Sequence, residues 1–204
     1  MLRVHGPAIK RGITIDTVTP TQLRAVVATR VTPSPTVRVT DANGSPVAGV
    51  EVFFKVTAGG GTALPLSGVG TSSARTDLTG RATADWTLGT KAIADTLSVG
   101  VGTLAPVVFT ALATPGPFAQ LVPDEGEGQI AAPGSTLPHA LRAKATDTFG
   151  NPIAGVPVTF SVISGEGTID GQQRSATRPA SPLPANGLWG RLWAGSMCGR
   201  SPAR

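Results

Sequence analysis

The stretch DANGSPVAGVEVFFKVTAGGGT at residues 41–62 returns, without a gap, as DTFGNPIAGVPVTFSVISGEGT at residues 147–168. The offset is 106 residues, and 12 of the 22 positions are identical. A unit of roughly 100 residues is far longer than a solenoid repeat and is the size of a small domain, so the chain is read as two copies of one module. Within the first copy Val50, Val52, Phe54 and Val56 alternate with Glu51, Phe53, Lys55 and Thr57. Period two of this kind marks a half-buried antiparallel strand. The second copy repeats it, with Val156, Val158, Phe160 and Val162 inward and Pro157, Thr159 and Ser161 outward. Asp41 to Pro46 is loop chemistry: Gly44 is available for positive φ, and Pro46 is pre-set for a turn.

Working outward, the same alternation recurs. Ala82, Ala84, Trp86 and Leu88 share one phase, followed by Leu97, Val99 and Val101, and then by Val107, Phe109, Ala111 and Ala113. Seven strands are predicted for the first copy, at about 22–29, 36–41, 49–57, 71–76, 80–88, 95–101 and 106–113. The expected core of the two copies is Val50, Val52, Phe54, Val56, Trp86, Leu88, Phe109, Val156, Val158, Phe160 and Val162. Trp86 shares its phase with Ala84 and Leu88 and is read as core, not as a ligand platform. TPGP at 114–117 reads as a short stiff linker.

Composition agrees with short strands and tight turns. Of 204 residues 26 are Gly and 18 Pro; Tyr is absent, 40% are hydrophobic and 14% charged. That balance is too apolar and too weakly charged for a disordered chain. The net charge of +5 sits at the ends: +4 over residues 1–30, +5 over 174–204 and −4 between them. A nucleic-acid binder presents its basic side chains on one folded face, interleaved with aromatics, and residues 31–173 do not, so no nucleic-acid partner is expected. No secretion signal is legible at the start, where a signal needs an apolar run of about 7 to 15 residues, and no membrane span is expected. The lone Cys198 excludes an internal disulfide.

The residues VRVTDANGSPVAGVEVFFKV, SARTDLTGRATADWTLGT at 73–90 and LSVGVGTLAPVVFTALATPG at 97–116 resemble the bacterial immunoglobulin-like domain of group 1, the invasin and intimin type repeated in tandem on surface proteins. The second copy keeps the resemblance through GEGQIAAPGSTLPHALRAKATDTFGNPIAGVPVTFSV. The resemblance implies an all-β, Greek-key immunoglobulin-like β-sandwich, a complete copy at 19–114 and a partial one at 117–177, with an N-terminal tail at 1–18. After Thr177 the alternation stops; Gly187 and Trp193 keep the spacing of Gly80 and Trp86, but too few residues follow for the last strands. Residues 178–204 are accordingly expected to be a disordered or frameshifted tail.

The implied role is a non-catalytic stalk, spacer or adhesion module of a bacterial cell-surface, outer-membrane-associated or secreted protein. Its partners would be neighbouring immunoglobulin-like repeats and a host receptor, surface receptor or glycan. Two alternatives stand beside it: an accessory, carbohydrate-binding-like module of a secreted enzyme, and a non-functional gene fragment. No enzyme is expected, because His5 and His139 have no nucleophile beside them and no cofactor motif is present. Gly59, Gly60 and Gly61 lack the Lys-Ser or Lys-Thr of a phosphate cradle and read as a hairpin loop. Asn43-Gly44-Ser45 fits a glycosylation sequon that the following Pro46 disfavours. Asp124, Glu125 and Glu127, in the loop PDEGEG after the linker, supply the hard oxygen donors that calcium takes, but no spaced D-x-D motif completes a set, so solvated charge is the expected reading and no metal is expected.

Overall fold

A computed structural model of the chain describes residues 13–66, 72–169 and 173–175. The chain divides into two compact units, with the boundary between Thr114 and Pro115. The described residues form strands and no helix. The segments holding His5 and Cys198, and the expected tail at 178–204, lie outside the described residues.

The first unit contains β1 (Thr14–Thr17), β2 (Gln22–Val26), β3 (Thr36–Thr40), β4 (Glu51–Ala58), β5 (Thr62–Pro65), β6 (Ser73–Arg75), β7 (Arg81–Thr87), β8 (Ala94–Gly100) and β9 (Val107–Thr114). They make two sheets, ordered β1-β3-β7-β5 and β2-β9-β8-β4-β6. The first segment of the chain serves both. β1 lies antiparallel to β3; the chain then crosses at Val18–Thr21, and β2 runs parallel to β9, from Gln22↔Thr110 to Val26↔Thr114. A first strand shared between two sheets, with its second half beside the last strand, is the immunoglobulin-like arrangement.

The core follows from the alternation. Val37 and Val39 of β3, Val52 and Phe54 of β4, Ala82, Ala84 and Trp86 of β7, Leu97 and Val99 of β8, and Phe109, Ala111 and Ala113 of β9 are all buried. The alanines of β7 and β9 leave volume for the indole of Trp86 and the ring of Phe109, so that large and small side chains interdigitate. Val50 and Val56 are only partly buried. The β4–β8 register slips between Val56 and Ala58, a bulge that turns the strand end away from the interior.

Two strands of the first unit, β1 and β5, have no counterpart in the sequence expectation. β1 falls inside the segment read as a tail, yet Ile13 and Ile15 pack against the core. Four residues are too short for periodicity to register above the basic residues before them. β5 ends in Pro65, and proline is tolerated there because the strand is a sheet edge. The strand expected at 22–29 stops at Val26, because Ala28 takes a positive φ of 57° and Thr29 Oγ1 donates to Val26 O.

The second unit contains β10 (Gln120–Glu125) antiparallel to β11 (Arg142–Thr146), and β12 (Pro157–Thr159) antiparallel to β13 (Gln173–Ser175). The repeat persists in the register. Thr14↔Thr40, Ile15↔Val39, Asp16↔Arg38 and Thr17↔Val37 reappear 106 residues on as Gln120↔Thr146, Leu121↔Ala145, Val122↔Lys144 and Pro123↔Ala143. The isolated bridge Thr40↔Pro46 likewise becomes Thr146↔Pro152. The long strand expected at 156–162 is a correction: only Pro157–Thr159 is paired. In the first unit the equivalent of the following stretch pairs with β8, and no described residue of the second unit supplies that strand. Val158 is buried and Val156 and Val162 are partly buried, as Val52, Val50 and Val56 are in the first unit, whereas Phe160 is partly exposed where its equivalent Phe54 is buried.

Candidate functional surfaces

The acidic loop does not build a metal centre. Asp124, Glu125 and Glu127 are all exposed, and Glu125 Oε1 takes Arg142 Nη1 at 2.8 Å across the β10–β11 pair. Among the described residues no three His, Cys, Asp or Glu side chains converge to hold a metal ion. Side chains strung along a strand end diverge with the pleat, and Glu125 takes part in a cross-strand ion pair at the surface. His139 is exposed nearby. Its backbone N–H donates to Gln129 Oε1 at 2.8 Å, and Gln129 Nε2 donates to the carbonyls of His139 and Gly126, so Gln129 closes this loop.

One acidic turn is used three times. In Asp41–Ser45, Asp77–Arg81 and Asp147–Asn151 the aspartate carbonyl accepts the N–H of the residue three on, at 3.0, 2.9 and 3.1 Å. Each time that residue is glycine, with φ of 77°, 75° and 79°. The carboxylate Oδ1 accepts the N–H groups two and four residues on: Asn43 and Ser45, Thr79 and Arg81, Phe149 and Asn151. The spacing D-x-x-G carries this geometry because only glycine sits there without strain and only a short carboxylate reaches both amides. Sequence reading paired the first and third as a repeat; the same D-x-x-G at 77–80 is the signal that joins the second to them.

The three differ in surroundings. Hydrogen bonds from the Arg81 amide and the Thr79 hydroxyl hold the Asp77 carboxyl below its ordinary value. Asp147 is fully buried, which by itself raises a carboxyl, but donors from the Asn151 side chain and from the amides of Gly116, Asn151 and Phe149 outweigh burial and hold it low.

At the other end of the first unit lies a different acid. Asp95, on β8, is fully buried; Oδ1 accepts a long 3.4 Å bond from the Gly89 amide, and Oδ2 has no partner. Burial pushes its carboxyl up. Glycines make room for it. A Cβ at Gly59 would overlap the Asp95 carboxylate, one at Gly61 would overlap the Thr87 carbonyl, and one at Gly89 the Gly59 carbonyl. The Gly59–Gly61 run is therefore a packing device between the β4–β5 and β7–β8 connections.

The outer face of the five-stranded sheet carries Phe53, 47% exposed, with Val108 and Val26 also exposed. Arg30 pairs with Asp85 at 2.9 Å. No row of exposed aromatics accompanies Phe53 among the described residues of this unit.

No family model matches the chain. Among solved structures, the D0-D1 domains of intimin match with 17% identity and a TM-score of 0.35, over 82% of this chain and 78% of that one. Invasin, a bacterial integrin-binding protein, matches with 21% identity and a TM-score of 0.40 over 81% of this chain, which spans 33% of the invasin chain. Domains 5-6 of the S-layer protein SbsC match with 15% identity and a TM-score of 0.38, over 95% of this chain and 99% of that one. At these values the assignment of an immunoglobulin-like fold rests on the strand order described above.

Proposed function

We propose that the chain is a non-catalytic structural segment of a bacterial surface or secreted protein, with immunoglobulin-like modules at about 14–114 and from about 115 to 177, acting in series as a spacer. The observation that carries this reading is the parallel pairing of β2 with β9. Tension applied at the two ends of the first unit pulls these strands in opposite directions along their length. All the ladder bonds between Gln22–Val26 and Thr110–Thr114 are then loaded together in shear instead of breaking one at a time. The repeat supports the same reading, because a spacer is lengthened by copying a module. Neighbouring repeats are the partners this role requires, with a receptor or glycan engaged elsewhere in the parent protein.

Pulling single molecules of the full chain from its ends tests this. The first unit should yield in one abrupt event that releases a contour length on the order of 300 Å, for about 100 residues at 3.3–3.6 Å each. Gradual extension with no resolved event would overturn the spacer role.

A further inference from the structure

Three places carry chemistry that a spacer role alone does not use: the buried Asp95 carboxylate, the exposed Phe53 face, and a pair of arginines on the outer face of the four-stranded sheet. The arginine pair carries the argument furthest. Val37 and Val39 face the core, so Arg38 between them faces out, directly opposite Arg81 of β7. Val39 N–H donates to Gly80 O at 2.8 Å, which makes 39–80 a hydrogen-bonded pair and its neighbour 38–81 a non-hydrogen-bonded one, where facing side chains come closest. The next row of the same phase shows how close, with Thr36 Oγ1 and Thr83 Oγ1 hydrogen-bonded at 2.9 Å. Like charges in such a position cost stability. Among the described residues the ion pairs are Arg30–Asp85 and Arg142–Glu125, and neither arginine of this pair joins one. Asp16 faces Arg38 from β1 without closing to ion-pair distance, and Asp77 Oδ1 is occupied by the Thr79 and Arg81 amides and the Thr79 hydroxyl. Arg38 is partly buried, and its Nε is shielded from solvent with no hydrogen-bond partner. The repeat does not ask for this arrangement: 106 residues after Arg38 stands Lys144, a point charge without the planar fork of arginine.

We infer that Arg38 and Arg81 form an oxyanion site for an acidic polysaccharide, in which one carboxylate or sulfate group of the chain lies between the two guanidiniums. An arginine fork holds such a group through two parallel N–H···O bonds. An anion between two cations turns one repulsion into two attractions, and it compensates a charge that the sheet has partly withdrawn from water. The surroundings favour a polysaccharide over a protein partner. Hydroxyl pairs flank the arginines along the strands, Thr36–Thr83 on one side and Thr14–Thr40, at 2.8 Å, on the other. At the β5 edge of the same face Leu64 and Leu66 are 58% and 61% exposed, a surface on which sugar-ring faces rest and not a pocket that seats a protein anchor. An extended peptide cannot complete a ladder there either: Leu66 N–H points to Thr83 O, so the outward-facing position falls on Pro65, which has no N–H. The inference goes beyond the spacer reading, since it gives the first unit a contact of its own.

The test is an NMR titration of the 15N-labelled full chain at low ionic strength, with polygalacturonate as the carboxylate probe, dextran sulfate as the sulfate probe, dextran as the neutral control and polyglutamate as an acidic peptide. The Nε–H signals of Arg38 and Arg81 should shift with an acidic polysaccharide and stay in place with dextran, and the tighter of the two polyanions identifies the anionic group. Reading the site at its own signals separates it from the basic ends of the chain. Arg81→Gln should weaken binding about tenfold or more, whereas Arg24→Gln, which removes an exposed arginine from the other sheet, should leave it unchanged. Because Arg81→Gln also removes a like-charge contact, its urea midpoint should be no lower than that of the wild type; a purely structural pair would lower it. No shift at either arginine, equal weakening by Arg24→Gln, polyglutamate binding as tightly as the polysaccharides, or a lower midpoint for Arg81→Gln would overturn the site. Each of these results can occur with the abrupt unfolding event of the first unit intact, which keeps the spacer reading separate.

Discussion

Phe54 and Phe160 occupy the same place in the repeated stretch, yet Phe54 is 3% exposed inside the first unit and Phe160 is partly exposed in the second. The surrounding motif is shared: the acidic turn, the bridge to proline and the β1–β3 register all recur at an offset of 106. What differs is the partner strands. In the first unit β8 and β6 flank β4, and Trp86 of β7 fills the interior; in the second, the buried cluster is Ala145 and Val158, with Ala143, Val156 and Phe160 packed beside it. A local motif thus fixes where the chain turns and which way a strand faces. Burial is a property of the strands that come back from elsewhere in the sequence.

That contrast can be broken most severely at Trp86. Trp86→Ala should cost about 3–5 kcal/mol and remove most of the cooperative unfolding of the first unit, measured by urea titration of full-chain circular dichroism. Next, Phe54→Ala should cost about 3 kcal/mol or more and Phe160→Ala roughly half of that or less, because the second ring leaves less surface to re-expose. Equal losses would show that the second unit packs like the first.

Glycine offers a finer comparison. Gly59 and Gly165 both have φ of 89°, but a Cβ at Gly59 would overlap Asp95 whereas Gly165 faces open space. Gly165→Ala should cost about 1–2 kcal/mol from backbone strain alone, and Gly59→Ala should add an overpacking cost of roughly 1–3 kcal/mol. The same assay, with amide exchange assigning the loss to a unit, checks this.

The smallest effect is one of pH, and its sign reverses between the units. Asp95 has its carboxyl raised by burial, so its contribution to folding is fully present below the ordinary carboxylate value and is lost as pH rises through the raised one. Asp147 is held low, so its contribution is present above the ordinary value and is lost as pH falls through the lowered one. Acidification from neutrality should therefore protect the Asp95 region and loosen the Asp147 turn. Asp77, lowered at the surface of the first unit, opposes Asp95 there, so Asp95→Asn compared with wild type at two pH values isolates the buried group.

Much of this was legible because alternation is a property of adjacent residues. The phase of Val52, Phe54, Trp86, Leu88 and Phe109 could be read from neighbours alone, and each is buried. β1 and β5 could not, since each spans four residues and is held by partners 19 or more positions away. Asp95 was invisible for a related reason: in sequence it sits in the ordinary turn-to-strand stretch IADTLSV, and only Gly59 and Gly89, brought in from two other connections, enclose it. In the acidic loop residue type offers oxygen donors, while strand pleat decides whether donors converge. Asp147 stands in the repeat where Asp41 stands in the first copy, and its hold on Gly116 depends on a contact spanning 31 residues.

Native-state amide exchange on the full chain tests the central contrast most directly. If a closed sandwich stands beside a more open one, the amides of Leu97, Val99, Phe109 and Ala111 should exchange together, only through global unfolding of the first unit, and those of Ala145 and Val158 should open at a distinctly lower free energy. A single common opening free energy for both sets, or early exchange at Leu97 and Phe109, would contradict it.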